Sequence, residues 1–141
     1  MENNTSLPKK ALVVGVGMTK FLKPGSHNLT YIDLGSQAIH RALNDASLDY
    51  NMIEQAYVGY VYQNSCAGQR VCYEVGMTRI PIVNVNNNCA TGSTAFNLAY
   101  NAVRSGQAEW VLAIRFEKME KANLNLILII ILNIYTNLPM L

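Results

Sequence analysis

Four short runs rich in β-branched and aromatic residues, spaced so that a helix fits between each pair, constrain this chain more than anything else in it. They are Ala11-Leu-Val-Val-Gly-Val16, Ala56-Tyr-Val-Gly-Tyr-Val-Tyr62, Ile80-Pro-Ile-Val-Asn-Val85 and Glu109-Trp-Val-Leu-Ala-Ile-Arg-Phe116. Runs of this length and composition read as strands, and continuous apolar character, clearest in 11–16, marks a buried parallel strand. Between the runs lie helical periods. Leu34, Ala38, Ala42, Leu43 and Ala46 share one helical face after Thr30-Tyr-Ile-Asp33, which has capping-box spacing with Asp in place of Glu. Gln69 to Gly76 reads as a short helix closed by its glycine. A third face is formed by Ala95, Leu98, Ala99, Ala102 and Val103, and Ser105-Gly106 stops it. Strand, helix, strand, helix, strand, helix, strand is the order of a doubly wound, mostly parallel α/β sheet, whose working residues lie at the C-terminal ends of the strands.

Composition narrows the function classes. The 141 residues, half of them hydrophobic and 14% charged, suit one domain with a buried core. A net charge of +2 with no basic run longer than Lys9-Lys10 points to no nucleic-acid partner. Three cysteines are too few for a stapled secreted domain and fit a reducing compartment. Met1 to Lys10 lacks the apolar core of a secretory signal, so the Asn-x-Thr sequons at Asn3 and Asn28 carry little weight. Gly15-x-Gly17-x-x-Lys20 lacks the third glycine of a dinucleotide fingerprint and the ending of a P-loop. These glycines read as turn and close-packing residues.

The chemistry concentrates at Cys89, where the third strand hands over to a helix. Unpaired backbone N–H groups and the positive end of a helix dipole favour the thiolate, the reactive form. Small residues at 90 to 95 let a bulky acyl group or a neighbouring backbone approach the sulfur closely. The competing reading is a small buried apolar residue, which is what most free cysteines are. Cys66 and Cys72, six apart, could form a disulfide or a metal clip. No Cys-x-x-Cys or companion histidine supports that, and a structural or substrate-lining role is favoured. His40 falls off the helix face and His27 sits in the Pro24-Gly25 loop, so neither reads as a base.

The segment Val83-Asn-Val-Asn-Asn-Asn-Cys-Ala-Thr-Gly-Ser-Thr-Ala95 resembles the nucleophile segment of thiolases, specifically the sterol carrier protein x type. Val14-Gly-Val-Gly-Met-Thr-Lys-Phe21, Val58-Gly-Tyr-Val61 and Phe116-Glu-Lys-Met119 resemble the same family, in order, over Ala11 to Met119. The resemblance implies the N-terminal half of a thiolase fold. It implies thiolytic cleavage of 3-ketoacyl-CoA through a thioester on Cys89, whose backbone N–H could serve as an oxyanion donor. Coenzyme A would be a co-substrate, with no bound cofactor or metal. The family also implies a dimer formed through this half and a peroxisomal setting, although the terminal Pro-Met-Leu is not a Ser-Lys-Leu address. The activating histidines and second catalytic cysteine of the family lie in a C-terminal half this chain lacks, so the chain alone is expected to be inactive.

From Leu124 to Leu141 the composition changes to Leu, Ile, Asn, Tyr, Thr, Pro and Met. The apolar run is too short and too interrupted by asparagine for a confident membrane span. It reads as an exposed, aggregation-prone strand outside the family pattern. The expected organisation is therefore an incomplete thiolase domain over 1–121 and an apolar tail over 122–141. Two other functions are carried forward: a non-catalytic dimer partner of a longer thiolase, and a tail-anchored membrane-associated protein.

Overall fold

A computed structural model describes residues 10–118 and 128–135. In chain order they form β1 (Lys10–Met18), α1 (Tyr31–Ala46), β2 (Gln55–Gly59), α2 (Ala67–Val75), β3 (Ile82–Val85), α3 (Thr91–Ser105), β4 (Trp110–Arg115) and β5 (Leu128–Tyr135). The strands make one sheet in the order β1-β5-β4-β2-β3. β2 runs parallel to both β3 and β4, whereas β5 runs antiparallel to β4 and to β1. The α/β class expected from the strand and helix periods is thus present, in a mixed sheet where four of the five strands share one direction although two of the four pairings are antiparallel. α1 and α2 cover one face and α3 the other.

Two expectations are corrected. Within the apolar segment, Leu128–Tyr135 is no exposed strand: as β5 it is inserted between β1 and β4, paired on both edges. Ile129 and Ile131 face the α1/α2 layer, and Ile130 and Leu132 face the α3 layer, the two-residue alternation of a strand covered on both sides. Asn133, which interrupts the apolar run, is 7% exposed and donates its amide to the Glu109 carbonyl at 3.1 Å. The second correction concerns β1, which is not a buried strand with parallel neighbours. Among the described residues it pairs with β5 alone, antiparallel, at the sheet edge. Its direction still agrees with β2 to β4, because β5 reverses the direction twice.

The glycines of β1 are packing residues, as their pattern suggests. A Cβ at Gly15 would meet the Ala42 carbonyl and the Ala46 side chain, and one at Gly17 would run into the Ala38 carbonyl and Ala42. α1 therefore lies almost directly on the strand. Its start is a complete capping box: the Asp33 amide donates to Thr30 Oγ1 at 3.1 Å, and the Thr30 amide donates to Asp33 Oδ2 at 2.7 Å. The Thr30 donors hold the Asp33 carboxyl below its ordinary range. Replacing Thr30 with Ala is expected to cost about 1 kcal/mol, read as a lower urea midpoint at unchanged slope. No measurable shift would mean that packing alone sets the start of α1.

Cys72 is fully buried, on α2 beside Tyr50, and all three cysteines are free thiols. The possible link from Cys66 to Cys72 is not formed. Burial pushes the Cys72 thiol from 9.0 up to about 11 and raises Tyr50 as well. The unfolded chain releases the Cys72 proton near 9.0, whereas the folded chain keeps it to about 11. The stabilisation is complete below pH 9.0 and is lost as pH rises through that window, at up to about 1.4 kcal/mol per pH unit. Urea titrations at pH 8 and pH 10.5 are expected to show a larger loss for the natural chain than for Cys72→Ala. Equal losses would count against it.

Candidate active site

Three loops meet where β2, β3 and β4 end. The pairings Gly59 with Val85 and Gly59 with Arg115 bring the strand ends level. From there the chain enters residues 60–63, 86–90 and 116–118. The Tyr60 amide donates to the Val85 carbonyl at 3.4 Å, and the Phe116 amide to the Gly59 carbonyl at 3.2 Å. Phe116 is buried and stacked between Tyr31 and Tyr60, with ring centroids 5.6 and 5.7 Å away.

The turn that carries Cys89 is built from its asparagines and threonines. Asn88 has φ of 48°, in the left-handed region that asparagine tolerates better than most residues. It begins a single 3-10 turn, Asn88–Ala90, leading directly into α3. Thr91 is fully buried; its hydroxyl accepts from the Asn87 amide at 2.8 Å and donates to the Asn88 carbonyl at 2.6 Å. The Asn87 side-chain amide reaches Thr94 Oγ1 at 3.0 Å. Within β3, Asn84 fixes α2, accepting from the Gly68 amide at 3.1 Å and donating to Gln69 at 2.7 Å. A Cβ at Gly59 would sit 2.5 Å from the Thr91 methyl, so that glycine lets the start of α3 settle onto β2.

Cys89 is exposed, which removes the reading of a small buried residue. It lines a cavity of about 310 Å³ whose walls include Gly92, Phe96, Ala113, Arg115 and Ile130. A second cavity of about 400 Å³ shares Cys89 and Arg115 and adds Val61, Tyr62, Asn88 and Glu117. Neither cavity is lined by a histidine. His40 is exposed on α1, and the partly buried His27 has a ring nitrogen, Nδ1, without a partner.

Glu117 is the best-connected side chain of the site. It is 2% exposed, and its Oε2 accepts from the Val61 amide at 2.8 Å. Its Oε1 accepts from the Tyr62 amide at 3.1 Å and from the Gln63 side chain at 2.6 Å. One carboxylate thus ties the loop after β2 to the loop after β4, beside Cys89.

The thiolase N-terminal domain matches residues 11–131. The chain belongs to the thiolase family. Over 120 residues, 84% of this chain, it is 53% identical to sterol carrier protein 2 of Homo sapiens, covering 22% of that protein. It is 35% identical over 113 residues to benzoylsuccinyl-CoA thiolase subunit BbsB of Thauera aromatica, covering 79% of this chain and 29% of that one. The 3-oxoacyl-[acyl-carrier-protein] synthase III of Aquifex aeolicus shares the fold, with a TM-score of 0.76 at 14% identity over 91% of this chain and 55% of that one. This thiolase domain therefore spans less than a third of the length of these curated relatives.

The family match runs through Ile131 and so takes in the first half of β5. Ile130 of β5 forms part of the Cys89 cavity, a contribution that the composition of the segment concealed. The Phe116-Glu-Lys-Met119 motif carries part of the family resemblance but by itself assigns Glu117 no task. Its signal was a lone acid directly after an apolar strand. Arg115, a cation ending that strand, likewise carries no local mark of a task.

Proposed function

We propose that this thiolase domain accepts an acyl group on Cys89 and supplies the nucleophile half of a thiolytic site for 3-ketoacyl-CoA. The observation that supports this best is an exposed cysteine at the head of a helix, opening onto an apolar cavity. The thiolate attacks the ketone carbon, and the bond between that carbon and its neighbour breaks. The acyl group stays on sulfur as a thioester, and the released carbanion takes a proton to give acetyl-CoA. Coenzyme A then attacks the thioester and restores the Cys89 thiolate. The Cys89 backbone N–H is the proposed donor to the oxyanion. Cys89 is joined in its cavities by neither His27 nor His40, so the proton transfers need a group these residues do not supply. The chain alone should acylate without turning over, since removing one member of a catalytic unit costs orders of magnitude. On the resemblance alone, the chemistry is assigned to the peroxisome.

The test uses a simpler exchange, Cys89 thiolate with acetyl-CoA, which releases the coenzyme A thiolate. Intact mass should rise by one acetyl group, and peptide mapping should place it on Cys89 rather than on Cys66, which is also exposed. Equal labelling of the two, or none on Cys89, would sink the proposal.

A second role rests on the open face of β1. Gly15 and Gly17 face α1, so Val16 and Met18 face the α3 side, where they are 51% and 48% exposed. A layer packed there would be a second thiolase-like domain, making the chain a partner of a longer copy. Co-elution with such a copy supports this; a chain that elutes alone in its presence counts against it. For the anchored alternative, no helix among the described residues is long and apolar enough to cross a membrane.

A further inference from the structure

We propose that Arg115 makes the Cys89 cavity selective for electrophiles that carry a carboxylate near the reacting carbon, so that the acyl group accepted ends in a carboxylate. The inference rests on the acyl-acceptor role of Cys89 and narrows its substrate class. Arg115 closes β4, and its stem lies along the first turn of α3. A Cβ at Gly92 would come within 2.7 Å of Arg115 Cδ, so only glycine leaves the arginine this path. The path ends in a cavity whose other walls, apart from Ser93 and Cys89, are apolar.

Among the described residues, one terminal nitrogen of that guanidinium arrives there without a partner. Nη1 of Arg115 is buried with no hydrogen-bond partner. Glu117 is the acid that shares a cavity with it, but both carboxylate oxygens are taken by Val61, Tyr62 and Gln63. A guanidinium is charged at every working pH, and a buried donor without a partner is costly to keep. Its planar fork of N–H groups fits a carboxylate in two parallel bonds.

Reach decides where the anion sits on the ligand. Arg115 and Cys89 line the same cavity of about 310 Å³, room for a short acyl group. The phosphates of coenzyme A lie a whole pantetheine arm from the thioester, too far to share that space. The carboxylate therefore belongs to the acyl side.

Two alkylating reagents that differ in one group test this without turnover. Iodoacetate and iodoacetamide both react by attack of thiolate on the methylene carbon; a C–S bond forms, the C–I bond breaks and iodide leaves. Cys66 is exposed and lines neither cavity, so it reports the intrinsic ratio of the two rates within the same chain. The rate ratio of iodoacetate to iodoacetamide at Cys89 is expected to exceed that at Cys66 by about tenfold, the scale of one charge-assisted pair. Arg115→Gln should bring it down to the Cys66 value, and Arg115→Lys should keep part of the preference. Equal ratios at Cys89 and Cys66, or a preference that survives Arg115→Gln, overturn the inference and leave the acyl-acceptor role standing. A Cys89 that neither reagent modifies overturns both.

Discussion

Ending the chain after residue 127 is expected to leave a polypeptide with no cooperative unfolding transition. β5 pairs with β1 on one side and β4 on the other, so its loss detaches β1 from the sheet and exposes the edge of β4. Ile129, Ile131 and Leu132 are at most 1% exposed. Burying each contributes about 1.5–3 kcal/mol, roughly 5–9 kcal/mol together. A domain of this size has about 5–15 kcal/mol of total stability, so the loss approaches the whole. Circular dichroism through a thermal ramp reads the result directly. A truncated chain that keeps native ellipticity and melts sharply would show that β1 and β4 can close the gap without β5. A milder substitution, Ile131→Asp, places a charge in the same core and should act in the same direction.

Glu117→Gln is expected to cost about 3–5 kcal/mol while changing the side-chain shape very little. The carboxylate accepts three hydrogen bonds, two from backbone amides of the loop after β2. An amide turns one acceptor into a donor, so at least one buried N–H faces another N–H. Hydrogen bonds to a charged acceptor contribute about 1.5–3 kcal/mol each, and leaving a buried donor unsatisfied costs about 1–3 kcal/mol. The same change frees the loop bearing Val61 and Tyr62, which lines a Cys89 cavity, and acylation of Cys89 should slow in parallel. Urea unfolding and the rate of acetyl transfer check the two effects separately. A stability loss under 1 kcal/mol would mean that the loop is held by Phe116 stacking between Tyr31 and Tyr60 and needs no carboxylate.

Much of this architecture was legible in the residues because it is local. The face formed by Leu34, Ala38, Ala42 and Leu43 is buried on α1, and the Thr30 to Asp33 capping box forms as its spacing predicts. The four apolar runs become β1 to β4, and Cys89 stands at the end of β3 where a helix begins. Periodicity and capping act over a few residues, so a linear reading captures them.

Tertiary structure alone decided the place of the Leu128–Tyr135 strand, the pairing of β1 and the surroundings of Cys89. A strand's neighbours depend on which edges the rest of the chain leaves open. That is why β5 read as an exposed tail while its partners lie as far away as Lys10 and Arg115. The tasks of Glu117 and Arg115 depend on contacts with Val61, Tyr62, Gln63 and Gly92, up to 56 residues away. A charge at the end of a strand carries no mark of its partner, and only the meeting of three loops at the strand ends shows that Glu117 is satisfied and that Nη1 of Arg115 lacks a partner among the described residues.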